Sequence, residues 1–354
     1  MSLKIRSLTR KCIDIEFYIA IIGIILTVFH VYILTRKQML KSSIISIMIG
    51  IGIFDICSMV LAISVRDLIS SFYRDVCTPP LTLFLYRLFW ILMTLRDHVI
   101  RCSTWLGILM AFIRFLVIRF NLRPTFKKVA NVSFGFYSTA FIFVISSLIA
   151  ILNYSRTKIV EVGVWHPAAT CESKSSAIWL DHELRSPEFY TANDGFLLRV
   201  TVFINGFLSR IIPCVLLPTL TIMLILEIRR ARKKMANSRF NFPKKADRTT
   251  TLVMIMTVTF SIASLPAGIF TLFQVMYTDV GFLKHGLQCI EIEFFVAIFG
   301  LLLTIIHVFI LTRKRMMMSS IISVMIGIGF CDGVNMALAI SLKHMIPSFY
   351  NDEW

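Results

Sequence analysis

Long apolar runs separated by short polar segments make up most of the chain and predict a series of membrane-spanning helices. A helix needs about 20 mostly apolar residues to cross the hydrocarbon core, where its backbone groups must pair with one another. Eight runs meet this requirement, at about residues 17–34, 43–65, 83–118, 129–152, 198–226, 250–276, 292–311 and 320–342. The pattern therefore predicts an all-α fold, a polytopic membrane helix bundle.

The two ends of the chain carry nearly the same sequence. Residues 12–75 align without a gap onto residues 289–352, and 39 of the 64 aligned positions are identical. The last two predicted helices are therefore copies of the first two. A solenoid repeats throughout its length, whereas this repeat occurs only at the ends, which indicates a duplicated or fused gene segment.

Lys and Arg are concentrated in the connections after the first, third and fifth predicted helices. The connection after the fifth holds nine basic residues between Arg229 and Arg248, whereas the loop from Arg156 to Asp194 has four basic and six acidic residues. Short positive loops stay on the cytoplasmic side, so we expect a multi-pass cell-membrane protein with an extracellular N-terminus. Basic residues between Lys4 and Lys11 favour the opposite orientation more weakly.

Composition agrees with a membrane protein and narrows the function. Hydrophobic residues make up 57% of the chain, charged residues 16%, and the mean hydropathy is +0.78, values that are not typical of a soluble domain. The net charge of +17 lies mainly in predicted cytoplasmic loops, where it meets anionic lipid, so nucleic acid is not an expected partner. No hydrolase, zinc-protease or P-loop motif occurs, and we therefore predict no enzyme, cofactor or metal centre.

Two cysteines and one asparagine are candidates for modification outside the cell. Cys77 precedes the third predicted helix and Cys171 lies in the long loop after the fourth. Both lie on the oxidising side, where a bridge would tie the loop over the mouth of the bundle; two free thiols are the alternative. Asn153 begins the sequon Asn-Tyr-Ser at the outer end of the fourth helix, which predicts glycosylation.

Several motifs resemble one receptor family. They are Thr35-Arg-Lys-x-Met with Ser42-Ser-Ile ahead of Asp55, the third-helix run from Cys102 to Phe115, Ile212-Pro-Cys-Val-Leu-Leu-Pro in the fifth helix, and Asp247-Arg-Thr-Thr leading to Phe260 and Pro266. Together with the loop charges, they resemble the nematode serpentine receptor class W (Srw) chemoreceptors. These are rhodopsin-like seven-helix receptors related to FMRFamide peptide receptors. The resemblance covers about residues 14–276.

The resemblance implies roles for four residues. Arg114 matches the arginine that holds the inner helix ends together at rest and meets the G protein; a snorkelling lipid contact is the alternative. Asp55, a carboxylate in mid-membrane, matches the sodium-binding position. Pro266 would kink the sixth helix and give its inner end a hinge. Phe260, nearly two turns inward, matches the packing switch.

Charged residues at the outer half of the third helix are candidates for ligand binding. Arg96, Asp97, His98 and Arg101 form an unusual density of charge for a membrane helix. Asp97 and Arg101 are four residues apart and can form a structural ion pair. Alternatively, Arg96, Asp97 and Arg101 form the floor of a pocket for a peptide's charged group. The acidic outer loop would attract a basic ligand, and a small odorant is the other possibility.

The chain departs from the family after the sixth helix. The expected seventh-helix ending Asn-Pro-x-x-Tyr does not occur, and the repeat supplies a copy of helix one in the seventh position and of helix two as an eighth. We therefore predict receptor helices in residues 1–280 and the repeat in 281–354. The predicted function is a chemosensory or neuropeptide receptor, impaired in signalling, that couples to a heterotrimeric G protein through its cytoplasmic loops. A transporter or channel-like protein is the alternative, although transporter repeats relate whole halves.

Overall fold

A computed structural model describes residues 3–37, 40, 42–72, 79–120, 128–129, 131–165 and 179–236. These residues form helices and one two-stranded sheet. In chain order they are α1 (Leu3–Leu34), α2 (Ser43–Phe72), α3 (Leu83–Arg119), α4 (Val132–Ser155), β1 (Lys158–Trp165), β2 (Trp179–Arg185), α5 (Glu188–Gly206), a π-helical segment (Phe207–Ile211) and α6 (Ile212–Ala236). Helix α5, the π segment and α6 follow one another without a break, and we call them together the fifth helix.

The observed helices confirm the helical membrane fold in the described residues. Four stretches are long and apolar enough to cross a membrane, Ser43–Arg66, Leu83–Val117, Val132–Ser155 and Gly195–Arg230, and Ala20–Leu34 is a shorter apolar helix. The fifth helix begins at Glu188, ten residues before the apolar run at about 198, because its first turns are polar. The predicted helices at about 250–276, 292–311 and 320–342 lie outside the described residues.

Helix α3 lies at the centre of the described bundle. It packs against α2, α4 and α6, while α2 also packs against α1 and α4. Ile47 and Ile51 of α2 meet Leu106 and Ile113 of α3 in the main apolar cluster. Most large side chains of α4 are instead exposed apolar groups, as expected for a helix that faces lipid. The apolar core is therefore narrow and centred on α2 and α3.

A close crossing of α2 and α4 depends on a glycine. The Ser46 hydroxyl donates to the Ser43 carbonyl at 2.9 Å and lies 3.1 Å from the Val132 carbonyl. A β-carbon at Gly135 would collide with the Ser46 Oγ and the Ser43 carbonyl oxygen. Small residues let membrane helices approach until their backbones meet, so Gly135 sets the distance between α2 and α4.

The loop after α4 contains an antiparallel hairpin that the sequence pattern did not predict. Its strands pair from Lys158 with Arg185 to Trp165 with Trp179, with an irregularity between Glu161 and Gly163. The His182 ring lies 6.2 Å from the Tyr86 ring at the start of α3. The hairpin therefore lies beside the start of α3. We call this end of the bundle the hairpin end, and the opposite end, which contains Arg119, the basic end.

Candidate functional site

A buried arginine in α3 joins three helical elements near the middle of the bundle. Arg101 is 5% exposed. Its Nε donates to Ser209 Oγ at 2.7 Å and its Nη2 to Asn205 Oδ1 at 2.8 Å, both on the fifth helix. Its Nη1 donates to the Ser146 carbonyl of α4 at 3.2 Å. Arg101 lies near the middle of the span Leu83–Val117, deeper than the outer position that the sequence suggested.

The fifth helix changes its hydrogen-bond pattern where Arg101 meets it. Residues Phe207–Ile211 are π-helical, and the Ile212 amide donates to the Phe207 carbonyl five residues earlier. The fully buried Pro213 cannot donate a backbone hydrogen bond, and its ring displaces the carbonyl four residues before it. The Trp105 indole of α3 donates to the Leu208 carbonyl at 3.2 Å. Two side chains of α3 thus bond to the π segment. Single π-helical turns inside α-helices are frequent at functional sites.

His98, one turn before Arg101, contacts α4. Its Nδ1 lies 3.0 Å from Ser146 Oγ and its Nε2 lies 3.4 Å from Ser147 Oγ. Its ring packs edge-on against Phe143 at 4.9 Å between centroids. We call His98, Arg101, Ser146, Ser147, Asn205 and Ser209 together the α3 polar cluster. The sequence pattern indicated only His98 and Arg101, the members on α3. The members on α4 and the fifth helix could have been found from their hydroxyl and amide side chains, which lie in otherwise apolar helices.

The two other predicted ligand-binding residues lie in different environments. Arg96 is buried at 3% exposed, whereas Asp97 is exposed. The hydrogen bonds of Arg101 described above run to α4 and the fifth helix, so the ion pair that the spacing of Asp97 and Arg101 allows stays a prediction. Asp97 also acts on Arg156: burial lowers the pKa of Arg156, and the charges of Asp97 and Tyr190 oppose this effect.

Asp55 of α2 has a polar partner on α3. The Ser103 hydroxyl donates to Asp55 Oδ1 at 2.7 Å, which places two oxygen ligands of the kind that hard cations prefer side by side. Within the described residues, no group of three or more His, Cys, Asp or Glu side chains could hold a metal ion. The sodium-binding role of Asp55 therefore stays a prediction.

A second arginine contact joins α3 to the fifth helix at the basic end. Arg119 Nη1 donates to Glu227 Oε1 at 2.6 Å, and Arg230 Nη1 donates to the same oxygen at 2.8 Å. Arg114 lies five residues before Arg119 with a half-buried side chain, and it forms no salt bridge in the part of the chain that the structure describes. The ionic contact that connects these helix ends is therefore made by Arg119.

Family comparison agrees with this architecture. A profile of the family described as serpentine type 7TM GPCR chemoreceptor Srw matches residues 14–290 and 291–352. The chain belongs to the Srw family. None of the curated proteins matches it. Srw proteins are chemoreceptors with seven transmembrane helices, so this chain is a member of a receptor family and not of an enzyme family.

The two matched ranges of this Srw chain begin at the same spacing as its two similar end sequences. They begin at residues 14 and 291, which are 277 positions apart, the same offset as between residues 12–75 and 289–352. The second match therefore covers the repeated sequence near the end of the chain. The division into receptor helices at 1–280 and a repeat at 281–354 stays a prediction, because the structure describes no residue after 236.

The remaining predicted sites have different outcomes. Cys77, Cys171, Phe260 and Pro266 lie outside the described residues. Asn153 lies in the last turn of α4, where its Oδ1 is buried and has no hydrogen-bond partner within the described part of the chain. Glycosylation requires that an enzyme reach this side chain, so the placement in a helix at the membrane edge does not favour it, and it stays a prediction.

Proposed function

We propose that this Srw chain is a G-protein-coupled chemosensory or neuropeptide receptor. Its ligand binds at the hairpin end and its heterotrimeric G protein at the basic end. The observation that carries this proposal is that α3 is bonded to the fifth helix at two depths. Arg101 bonds to Asn205 and Ser209 near mid-span, and Arg119 bonds to Glu227 at the basic end.

The distance between these two contacts suits signal transmission. Arg101 and Arg119 are 18 residues apart in one continuous helix, which corresponds to about 27 Å of helix length. A ligand that shifts Arg101 relative to the fifth helix would therefore tilt α3 and strain the pair at the basic end. Coupling of this kind needs a contiguous structural element with two arrangements, and the two bonded helices supply one.

The ligand is proposed to be a peptide or small molecule with a basic group. The hairpin end exposes Glu161, Asp181 and Glu188, and Glu183 pairs with Arg185. Exposed Lys158 and Arg185 lie on the same strands, and the exposed carboxylates would attract a basic group of the ligand and raise its local concentration. Arg96, Asp97 and Arg101 are proposed to contact the ligand at the bottom of its site.

The proposed orientation places the hairpin end and the N-terminus outside the cell. It is supported by the exposed Arg36, Lys37 and Lys128 at the basic end, because positive loops remain cytoplasmic. Eight spans then return the C-terminus to the outside. We expect tags at both ends to be stained on intact cells. A C-terminal tag stained only after permeabilisation would show that one of the repeated helices does not span.

Several further roles belong to the same proposal. Asp55 binds sodium with help from Ser103, and Arg114 meets the G protein. Phe260 and Pro266 form the switch and hinge of the sixth helix. The supporting facts are the oxygen pair at 2.7 Å and the motif resemblance. The bridge between Cys77 and Cys171 and the glycan on Asn153 are proposed from the sequence alone.

The experiment that tests the proposal breaks the pair at the basic end. The receptor used has residues 281–354 replaced by the seventh helix of a paralogue. Glu227→Arg places a third positive charge beside Arg119 and Arg230, so the helix ends should separate and basal G-protein activation should rise about fivefold, equivalent to roughly 1 kcal/mol for a well-ordered pair. Adding Arg119→Glu to Glu227→Arg restores an attractive pair between the two positions. Basal G-protein activation should then return most of the way to its original level.

A matched control uses the neighbouring arginine. Arg229 is exposed and forms no salt bridge with Glu227 among the described residues, so Arg229→Glu should not raise basal activation. Nucleotide exchange on a purified G protein is the measurement. If Glu227→Arg and Arg229→Glu change activation equally, or if the double variant fails to reverse the effect, the contact between α3 and the fifth helix does not control coupling.

A further inference from the structure

Two guanidinium groups share one carboxylate oxygen at the basic end. Arg119 Nη1 and Arg230 Nη1 donate to Glu227 Oε1 at 2.6 Å and 2.8 Å. The Glu227 side chain is 13% exposed, whereas those of Arg119 and Arg230 are 47% and 64% exposed. The largely buried carboxylate thus fixes the two guanidiniums within a few ångströms of each other. Both arginine side chains keep an exposed surface, and the three side chains together retain one net positive charge.

The position of this triad along the helices indicates what it meets. The apolar spans end at Val117 in α3 and at Arg230 in the fifth helix. Arg119 therefore lies two residues past one span, and Arg230 lies at the last residue of the other. A basic residue at the end of an apolar span is expected at the lipid head groups, where anionic lipids attract basic residues. Arg119 and Arg230 thus form a preformed cationic fork at the expected membrane surface.

We propose that Arg119 and Arg230 form a binding site for the phosphomonoester group of a phosphoinositide head group. A guanidinium binds two phosphate oxygens in a fork-like arrangement, and this geometry makes arginine the preferred residue for such recognition. Two guanidiniums held side by side can together contact three oxygens of a phosphomonoester. The phosphodiester of phosphatidylserine offers two non-ester oxygens and a single charge. Glu227 orients the fork and does not contact the lipid.

The site differs from the general attraction of basic loops for anionic lipid. Each Lys or Arg near the surface contributes a similar free energy to this diffuse attraction. Arg229 is the next residue along the same helix, is also exposed and carries the same charge, but within the described residues it forms no salt bridge with Glu227. The proposed site gives Arg230 a selective role that Arg229 lacks. Lipid binding at this site does not depend on G-protein signalling, so this proposal and the receptor proposal can fail separately.

The test measures lipid binding by the full-length chain in phosphatidylcholine nanodiscs. These contain a minor fraction of either a phosphatidylinositol bisphosphate or phosphatidylserine, and a fluorescent analogue of each lipid reports binding. The unaltered chain should bind the phosphoinositide at least about tenfold more tightly than phosphatidylserine. Arg119→Gln and Arg230→Gln should each reduce this ratio to near one. Arg229→Gln should weaken both lipids by a similar factor, about fivefold or less, and preserve the ratio.

Conservative variants and a soluble probe complete the test. Arg119→Lys and Arg230→Lys keep the charge but lose the fork, so they should remain folded and lose the selectivity ratio while binding phosphatidylserine as before. The soluble head group, inositol trisphosphate, should bind much more weakly than the lipid. Equal ratios in Arg229→Gln and Arg230→Gln would overturn the site. Soluble head group bound as tightly as the lipid would overturn the lipid as its occupant.

Discussion

Replacing Arg101 with methionine should lower the melting temperature of the detergent-solubilised chain by about 5–10 °C. The guanidinium bonds to the Ser146 carbonyl, Asn205 Oδ1 and Ser209 Oγ, and a methionine fills similar volume without donating to any of them. Loss of a buried, charge-assisted network costs on the order of 3 kcal/mol, although the membrane reference state reduces the value of single bonds. The π segment would lose the hydrogen bond between Ser209 and α3.

A matched variant separates this network from a general effect of charge. Arg87 lies on the same helix and is exposed, so Arg87→Met should shift the melting temperature by less than about 2 °C. Arg101→Lys keeps the charge but cannot reach three acceptors on two helices and should give an intermediate loss. Scanning fluorimetry measures all three. Equal shifts for Arg87→Met and Arg101→Met would show that the cluster does not hold α3 to the fifth helix.

The partners of Arg101 show how much of the site the sequence predicts. A charged residue in an apolar helix is costly, and this cost is visible in the sequence, where it marks Arg101 as a candidate. Its partners Asn205 and Ser209 follow Arg101 in the chain by 104 and 108 residues. Only the packing of the helices brings them close to Arg101. The spacing of Asp97 and Arg101 favours a local ion pair, but the long arginine side chain also reaches acceptors on two neighbouring helices. Local periodicity cannot rank a local partner against a distant one.

The hairpin and the π segment mark a second limit. The apolar runs predicted the first five helices because hydrophobicity must persist along the whole span. The strands β1 and β2 are short and partly polar, and their pairing depends on the register between two separated segments. Pro213 signals a disturbed helix, but it does not say whether the result is a kink or the π-helical pattern at Phe207–Ile211. Features decided by pairing between segments are therefore the ones that the sequence pattern did not predict.

The chain should signal poorly, and replacing its terminal repeat should restore signalling. Rhodopsin-like activation moves the inner end of the sixth helix, and the Asn-Pro-x-x-Tyr end of the seventh stabilises the open state. Here the seventh position is offered only the repeat sequence from Phe294 to Leu311, which contains no proline and precedes Thr312-Arg-Lys. It lacks the Asn-Pro-x-x-Tyr ending that the family resemblance associates with this step. Moving a population from 1:99 to 99:1 needs roughly 5.5 kcal/mol of differential binding, so partial loss of that stabilisation leaves most molecules inactive.

The measurement compares two proteins that differ only after residue 280. One is the chain itself, and in the other residues 281–354 are replaced by the seventh helix of a paralogue with its Asn-Pro-x-x-Tyr ending. Ligand-driven nucleotide exchange on the G protein should be at least about tenfold greater for the second, which corresponds to about 1.4 kcal/mol in the balance between active and inactive states. Surface staining of both must be equal, because a loss of folding would mimic a loss of signalling. Equal exchange by the two proteins would mean that the copied first helix serves as a seventh helix, and that the polar ending is not needed for the contact between α3 and the fifth helix to open.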